Sequence, residues 1–317
     1  MALGYSKYHL EEDRIGEGTY GWVSKYHNIE TGQLVAIKTP KHLHWLSDKP
    51  PNYVTIFTRR EIVTMNKVTH PNVMGSVEVF IPDDGLPRIV MPFMDGSLVM
   101  VFKDKNLHLT EPDIKCLSKQ LFKGLEALHE QLFMHRDLSP QNVLICFQTG
   151  QLCISDFGMT REMGLQPMTA KVTTLWYRAP ELLFGARKYF SAVDIWSAGC
   201  LFAEMFSRKA IFQGNCELSV LNKIFQKMGS PSETNWRDAL SMPDFLRFFD
   251  YERSPIERWL RGISDYGRIF VDEILVLDPQ KRPGAGDLLK KDFFTKKPKA
   301  TKRLRLSGKL RHESPST

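Results

Sequence analysis

Over the first ~95 residues, apolar and polar positions alternate in short runs. Val23–Tyr26, Leu34–Lys38, Ser76–Phe80 and Arg88–Met91 show the two-residue period of strands, and Glu30-Thr31-Gly32-Gln33 reads as a turn between two of them. One stretch departs from this. Between Val54 and Val68, Ile56, Phe57, Ile62 and Met65 recur at helical spacing. Past Gly96 the period changes. Ile114, Leu117, Leu121, Leu125 and Leu128 share one face of a helix predicted over 111–131, with Thr110 as its N-cap ahead of Glu111, Pro112 and Asp113. Further helices are predicted at 192–207, 217–228, 266–276 and 284–290. The pattern predicts an α+β chain: a strand-rich N-terminal lobe and a helical C-terminal lobe, joined near Pro92–Gly96, with no internal repeat.

Composition narrows the class. The chain has 317 residues, enough for two lobes with their own cores, and 42% hydrophobic and 25% charged residues are ordinary for a globular protein. Five scattered cysteines (Cys116, Cys146, Cys153, Cys200, Cys216) form no CxxC pair, so neither a zinc site nor a disulfide framework is indicated. The start, MALGYSKYHLEEDR, has no apolar signal core and no run is long enough to cross a bilayer, so an intracellular protein of the nucleus or cytoplasm is expected. Between Thr295 and Thr317, eight Lys or Arg face the single acid Glu313, and this segment carries the whole +7 excess. It reads as a basic, disordered tail over 295–317, either merely solvated or serving as a nuclear-import or anion-docking segment.

The chemistry lies in His135-Arg136-Asp137-Leu138-Ser139-Pro140-Gln141-Asn142, followed by Asp156-Phe157-Gly158. An Asp and an Asn five residues apart, with a second Asp on a Phe-Gly turn, suit phosphoryl transfer. Asp137 would accept the proton of a substrate hydroxyl, and Asn142 and Asp156 would hold Mg²⁺. Upstream, Gly16, Gly18, Gly21 and Val23 form GxGxxGxV, which lets a hairpin backbone approach phosphates. A dinucleotide site would need a helix opening at the third glycine. Here β-forming Trp22 and Val23 follow, and then Val35-Ala36-Ile37-Lys38. Lys38 is the candidate for the α- and β-phosphates of ATP, and Glu61, mid-helix, is its candidate partner.

Taken in order, GEGTYGWV, VAIK, TRREI, HPNV, HRDLSPQN, SDFGMTR, VTTLWYRAPE, DIWSAGC and DPQKRP before DFF resemble a eukaryotic protein kinase. GEGTYG, TLWYRAPELL, IFQKMGSPSETNW and SMPDF resemble the cyclin-dependent kinase group within it. The resemblance runs from Tyr8 to Phe294, leaving 1–7 as an N-terminal extension. It implies the bilobal kinase fold over 8–294, with an N-lobe of about 8–92 and a C-lobe of about 97–294. It also implies ATP and Mg²⁺ as cofactors, Ser/Thr phosphorylation with proline after the target residue (from Thr173–Arg178), and a cyclin-like partner without nucleic acid or membrane. Met91 would guard the back of the adenine pocket. The backbone of Pro92 and Met94 would bond adenine, and Val23, Ala36, Phe93 and Leu144 would wall it. Ile15, Glu17, Thr19, Tyr20, Trp22 and Gln141 join the nucleotide contacts, with Ser97 at the ribose. Thr174 would touch the catalytic loop, while Glu181 with Arg282, and Asp194, would hold the C-lobe.

The same resemblance makes Arg60, Arg136 and Arg161 a trio awaiting phosphorylated Thr169, and makes Thr19 and Tyr20 an inhibitory phosphorylation pair. Three features depart from the group. Ser139 stands where a Lys is usual, near the transferred phosphoryl group, and Lys171 is the nearest substitute cation in sequence. Val-Thr-Ile-Phe-Thr-Arg-Arg-Glu61 replaces the usual cyclin-contacting signature, after a short insertion at His42–Asn52. Ser97 replaces an acid. Two rival readings therefore stand beside the active kinase. One is a pseudokinase scaffold, which the intact Lys38, Asp137, Asn142 and Asp156 oppose. The other is a tyrosine kinase, which would want an Arg near Gln141.

Overall fold

The computed structural model describes residues 5–41, 53–164, 167–169, 174–302, 304 and 306. The N-terminal part is an antiparallel five-stranded sheet made of β1 (Tyr8–Glu17), β2 (Gly21–Asn28), β3 (Leu34–Pro40), β4 (Glu78–Phe80) and β5 (Arg88–Pro92) in the order β1-β2-β3-β5-β4. Alternation does the sorting. Val35, Ile37 and Val90 join Tyr8 in a small cluster on one face, while Ala36, Ile89 and Met91 turn to the other and belong to the main core. β1 was not foreseen. It is an edge strand with charged, exposed positions and two register breaks against β2, so it carries no alternation to read.

Helix α1 (Ile56–Lys67) follows, capped by Thr55, whose hydroxyl accepts the Thr58 amide at 3.2 Å. β6 (Gly96–Ser97) and the short α2 (Leu98–Lys103) lead into the C-lobe. There α3 (Glu111–Glu130) buries the predicted stripe Ile114, Leu117, Leu121, Leu125 and Leu128. Its start is fixed by Asp113, which accepts from both the amide (3.1 Å) and the hydroxyl (2.8 Å) of Thr110. β7 (Phe133–Met134), β8 (Val143–Cys146), β9 (Gln151–Ile154) and β10 (Arg161–Glu162) form two small sheets, β6-β8-β9 and β10-β7. They carry the loops of the site. α4 (Pro180–Leu183), α5 (Ala192–Ser207), α6 (Glu217–Met228), α7 (Asp265–Ile274), α8 (Ala285–Leu288) and α9 (Asp292–Thr295) complete the lobe. α5 is buried on every side from Val193 to Met205, as befits a central helix. Glu181 and Arg282 meet beside its first residue in a bidentate pair at 2.7 and 2.8 Å, both buried, and Arg282 also donates to the Ala192 carbonyl at 2.9 Å.

Glu204, buried on α5, accepts only the Tyr177 hydroxyl, at 2.8 Å, among the described residues. Burial pushes its carboxyl up to about 7. Its folded pKa thus exceeds its unfolded value, so the linked stability is fully present below the ordinary carboxylate range and is lost as pH rises through about 7. The loss approaches on the order of 3 kcal/mol at alkaline pH. Glu204→Gln keeps an acceptor for Tyr177 and removes the titration. Thermal melts should show the variant more stable than wild type at pH 8 and no more stable at pH 5.

Within the segment expected to be disordered from Thr295, several of the described residues are packed against the C-lobe. Thr301 donates from its amide to the Pro112 carbonyl (3.0 Å) and from its hydroxyl to Asp113 (2.6 Å). The Lys115 ammonium, wholly buried, donates to the Pro298 carbonyl at 2.8 Å and lies 4.8 Å from the Phe293 ring centroid. Leu304 and Leu306 are buried, and the Leu306 amide bonds the Phe147 carbonyl at 2.7 Å. Residues 307–317, including the rest of the predicted tail, lie outside the described residues. Two buried leucines contribute roughly 1.5–3 kcal/mol each. A chain cut after Phe294 should therefore unfold at clearly lower denaturant than one cut after Leu306; equal midpoints would mean the contacts stabilise nothing.

Candidate active site

The site assembles where β3, α1 and the loops after β7 and β9 meet. β3 pairs with β5 so that Ala36 faces Met91 and Lys38 faces Ile89, and with β2 so that Val23 faces Lys38. The alternation that sends Ile37 to one face sends Lys38 toward α1. There the Lys38 ammonium donates to both Glu61 oxygens (2.7 and 2.8 Å) and to Asp156 (3.2 Å). Burial opposes the charge on Lys38, but Glu61 and Asp156 outweigh it and hold its pKa above the ordinary value. Burial would likewise raise the Asp156 carboxyl, and the Lys38 ammonium prevails, holding it below the usual range. Asp156 sits at φ 61, a left-handed conformation rare outside glycine.

The residues of the candidate catalytic loop are held from beneath. Asp194, buried on α5, accepts the Arg136 amide (2.8 Å) and the His135 amide (2.9 Å), with His129 Nε2 at 2.9 Å. Burial raises its carboxyl, yet these donors hold it below the ordinary value. Arg136 itself sits at φ 68, in the left-handed region that non-glycine residues rarely adopt. His135 is enclosed. Its Nδ1 accepts the Asp137 amide (3.2 Å), so Nε2 donates to the Ser155 carbonyl (2.9 Å). The loops before Asp137 and before Asp156 are thereby tied together.

Asp137 is clamped on both sides. Asn142 Nδ2 donates to its carbonyl (2.7 Å) and to Oδ2 (3.3 Å), and the Thr174 amide donates to Oδ1 (3.0 Å). The expected Thr174 contact is therefore made by backbone. Burial raises the Asp137 carboxyl, nearby His135 opposes it, and Asp156 adds to it; the net shift is upward. Ser139 is 2% exposed, and its Oγ has no partner among the described residues. Lys171, the substitute cation suggested by the sequence, lies outside the described residues, as do Thr173 and His42–Asn52.

Of the expected nucleotide contacts, Ala36 and Met91 are buried, while Val23, Phe93, Met94 and Leu144 are partly buried against the main core. Leu144 pairs with Ser97 across β6 and β8. Ile15, Glu17, Thr19 and Gln141 are exposed, and Tyr20 and Trp22 are half-buried. The glycines divide by role. A Cβ on Gly21 would run into the Thr39 carbonyl, so packing demands that glycine. One on Gly16 would meet nothing within 4 Å, and one on Gly18 only the Gly21 carbonyl at 3.9 Å. Those two leave open space over the loop, which suits a close-approaching phosphate. Asp156 and Asn142 together offer the oxygen donors that Mg²⁺ prefers. Among the described residues no group of three or more His, Cys, Asp or Glu is gathered as a metal site. Sequence reading missed Lys41, whose ammonium pairs with Glu17 and donates to the Gly18 carbonyl (3.0 Å), and whose amide donates to the Tyr20 carbonyl (2.9 Å). Its only signal was a Lys just past β3.

Arg60, Arg136 and Arg161 lie within electrostatic reach of one another. Burial lowers the pKa of Arg60, and Arg161 adds to it; burial lowers that of Arg136, with Arg60 and Arg161 contributing. Thr169 is exposed, and its carbonyl accepts the Tyr189 hydroxyl at 2.7 Å, while the Tyr189 ring centroid lies 6.0 Å from the Arg136 guanidinium.

A family model described as Protein kinase domain matches residues 8–294. Cyclin-dependent kinase D-1 of Arabidopsis thaliana is 35% identical over 300 residues, covering 94% of this chain and 74% of that protein. Cyclin-dependent kinase 7 of Dictyostelium discoideum is 35% identical over 291 residues, covering 91% and 80%. Among solved structures, the CAK complex from Chaetomium thermophilum bound to ATP-gamma-S aligns with a TM-score of 0.86 at 32% identity, covering 93% of each chain. The yeast RNA Pol II CTD kinase CTDK-1 complex aligns at 0.83 and 32%, covering 95% of this chain and 97% of that one.

Proposed function

The chain belongs to the eukaryotic protein kinases, in their cyclin-dependent-kinase-like group, and is a protein serine/threonine kinase that uses ATP; from that premise we propose that it is an active, Mg²⁺-dependent, proline-directed enzyme switched on by a cyclin-type partner and by Thr169 phosphorylation. The observation that carries this is the double clamp on Asp137, from Asn142 and the Thr174 amide, beside an assembled Lys38–Glu61–Asp156 line. The clamp leaves a carboxylate of raised pKa facing the cleft, suited to take the proton of a substrate Ser or Thr hydroxyl as the hydroxyl oxygen attacks. Lys38 is placed to hold the α- and β-phosphates, and Asp156 and Asn142 would hold Mg²⁺, which neutralises phosphate charge when bound. Ala36, Met91, Val23, Phe93, Met94 and Leu144 suit the adenine ring. Glu181, Arg282 and Asp194 keep the frame.

The partner reading rests on α1. Ile56 and Val63 stand 50% and 43% exposed on its outer side, two turns apart, while Glu61 on the inner side is buried. An apolar partner covering them would fix the helix that carries Glu61. The two similar solved chains both come from complexes by name. The test is phosphate transfer by purified protein, with and without candidate cyclins, to a Ser-Pro peptide and its Ser-Ala twin. Partner-stimulated transfer to Ser-Pro supports the reading. Nucleotide binding without transfer under any condition would favour the pseudokinase, for which Ser139 is the one supporting residue.

Ser139 itself gives a prediction. Losing one preorganised charge stabiliser costs on the order of 10²–10³ in rate, so Ser139→Lys should raise turnover by ~10-fold or more if its ammonium reaches the cleft beside Asp137. Unchanged or lower turnover would show that the loop has adapted around serine.

A further inference from the structure

Phe57 entered the sequence reading only as one apolar position of a helix. In the fold its ring stacks on Tyr20 of the glycine-rich loop, with centroids 4.1 Å apart and planes 21° from parallel. Phe57 and Glu61 are four residues apart on α1, so the side that offers Glu61 to Lys38 also offers Phe57 to Tyr20. Below, Phe57 covers the turn after Asp156: a Cβ placed on Gly158 would lie 3.6 Å from the Phe57 Cβ. The Tyr20 hydroxyl points inward, 3.8 Å from Met159 Sδ, and burial together with Asp156 and Asp137 raises its pKa. From behind, the Lys41 amide holds the Tyr20 carbonyl, and the Gly18 amide closes the loop onto the Gly21 carbonyl at 2.9 Å.

We propose that Phe57 is a positioning residue that locks the glycine-rich loop to α1 and to the turn after Asp156, so that loop closure and Lys38–Glu61 pairing occur as one event. As a statement about nucleotide binding, this rests on the kinase reading above. If α1 swings outward, Glu61 leaves Lys38 and the platform under Tyr20 leaves with it. If the loop lifts, the stack breaks and α1 loses a contact on its inner side. A partner seated on Ile56 and Val63 would thus act on the phosphate-covering loop through the next residue in the helix. The inward hydroxyl also means that modifying Tyr20 requires the stack to open first.

The test uses the full chain without nucleotide. Hydrogen exchange at the Gly18 and Lys41 amides reads loop opening directly and does not depend on any activity. An aromatic pair of this geometry corresponds to about a 2- to 13-fold change in an equilibrium. Phe57→Ala should speed exchange at both amides by roughly that factor, and Phe57→Tyr should restore it. Tyr20→Ala should match Phe57→Ala, and the double variant should add little to either. Phe57→Leu, which keeps apolar bulk but no ring face, carries the same expectation if the alanine variant melts too low. The Kd of a fluorescent ATP analogue should weaken by a similar factor, with the effect appearing in KM for ATP more than in kcat. Unchanged exchange in the Phe57 variants, or additive effects in the double variant, would overturn the proposal. Faster exchange in a protein that never transfers phosphate would leave the lock standing and sink the functional reading alone.

Discussion

Asp137→Asn should reduce turnover by about 10²–10⁴-fold while leaving the affinity for ATP within about twofold of wild type. The asymmetry follows from where the residue stands. Asp137 is held by Asn142, the Thr174 amide and the hydrogen bond that its own amide donates to His135 Nδ1, while the Lys38–Glu61–Asp156 line that would grip the nucleotide is built from other elements. Asparagine keeps the shape, and its side-chain oxygen can still accept from Thr174, but it cannot take a proton from the attacking hydroxyl. The loss therefore falls in the transition state, at ~1.4 kcal/mol per tenfold. Steady-state kinetics on a Ser-Pro peptide, paired with nucleotide titration, separate the two quantities. A variant as fast as wild type would remove Asp137 from the proton-transfer role. A variant that no longer binds nucleotide would mean that Asp137 organises the pocket instead.

Phosphorylation of Thr169 should raise activity on the order of 10- to 100-fold, and Thr169→Ala should forfeit that gain. The arginines that would receive the phosphate come from three segments: α1, the loop after β7, and β10. Burial lowers the values at Arg60 and Arg136, and the neighbouring arginines add to it by disfavouring a further positive charge. A dianion placed among them replaces repulsion with charge-assisted bonds, of which one to three are usual, at roughly 1.5–3 kcal/mol each. Tyr189 already brings Thr169 near: its hydroxyl holds the Thr169 carbonyl while its ring faces Arg136. Met168, buried next door, donates its amide to the Arg187 carbonyl and anchors the approach. Because Arg60 directly precedes Glu61, a tethered phosphate would also steady the Lys38 pairing. Thr169→Glu should restore only part of the gain, since a carboxylate carries less charge and fewer acceptors. Mass spectrometry of active protein, with activity measured before and after phosphatase treatment, checks this. Full activity with Thr169 unmodified would refute it.

The extent to which this chain could be read in advance varied by element. α3 and α6 were legible to within a residue because amphipathic periodicity is a local property, and their apolar stripes do face the core. α7 and α8 ended earlier than periodicity suggested, at Ile274 and Leu288. β1 was illegible because an exposed edge strand has no buried face to produce an alternation. In the basic segment the signal was present but masked. Leu304 and Leu306 alternate with arginines, and the surrounding charge suggested solvation where both leucines are buried.

The sequence by itself determined which residues could do the chemistry. The spacing of Asp137, Asn142 and Asp156, the glycine pattern and the position of Lys38 in a β-forming run are covalent facts, and short loops transmit them faithfully into geometry. Only the tertiary structure decided how those residues are held. Glu61 reaches Lys38 because α1 packs beside β3, and Asp194 gathers amides contributed from 58 and 59 residues away. Thr174 serves through its amide, Ser139 is enclosed, and Phe57 meets Tyr20 across 37 positions of chain. Such contacts join segments with no shared local pattern. Their geometry is set by which faces the elements of each lobe bury against one another, and no window of neighbouring residues contains that information.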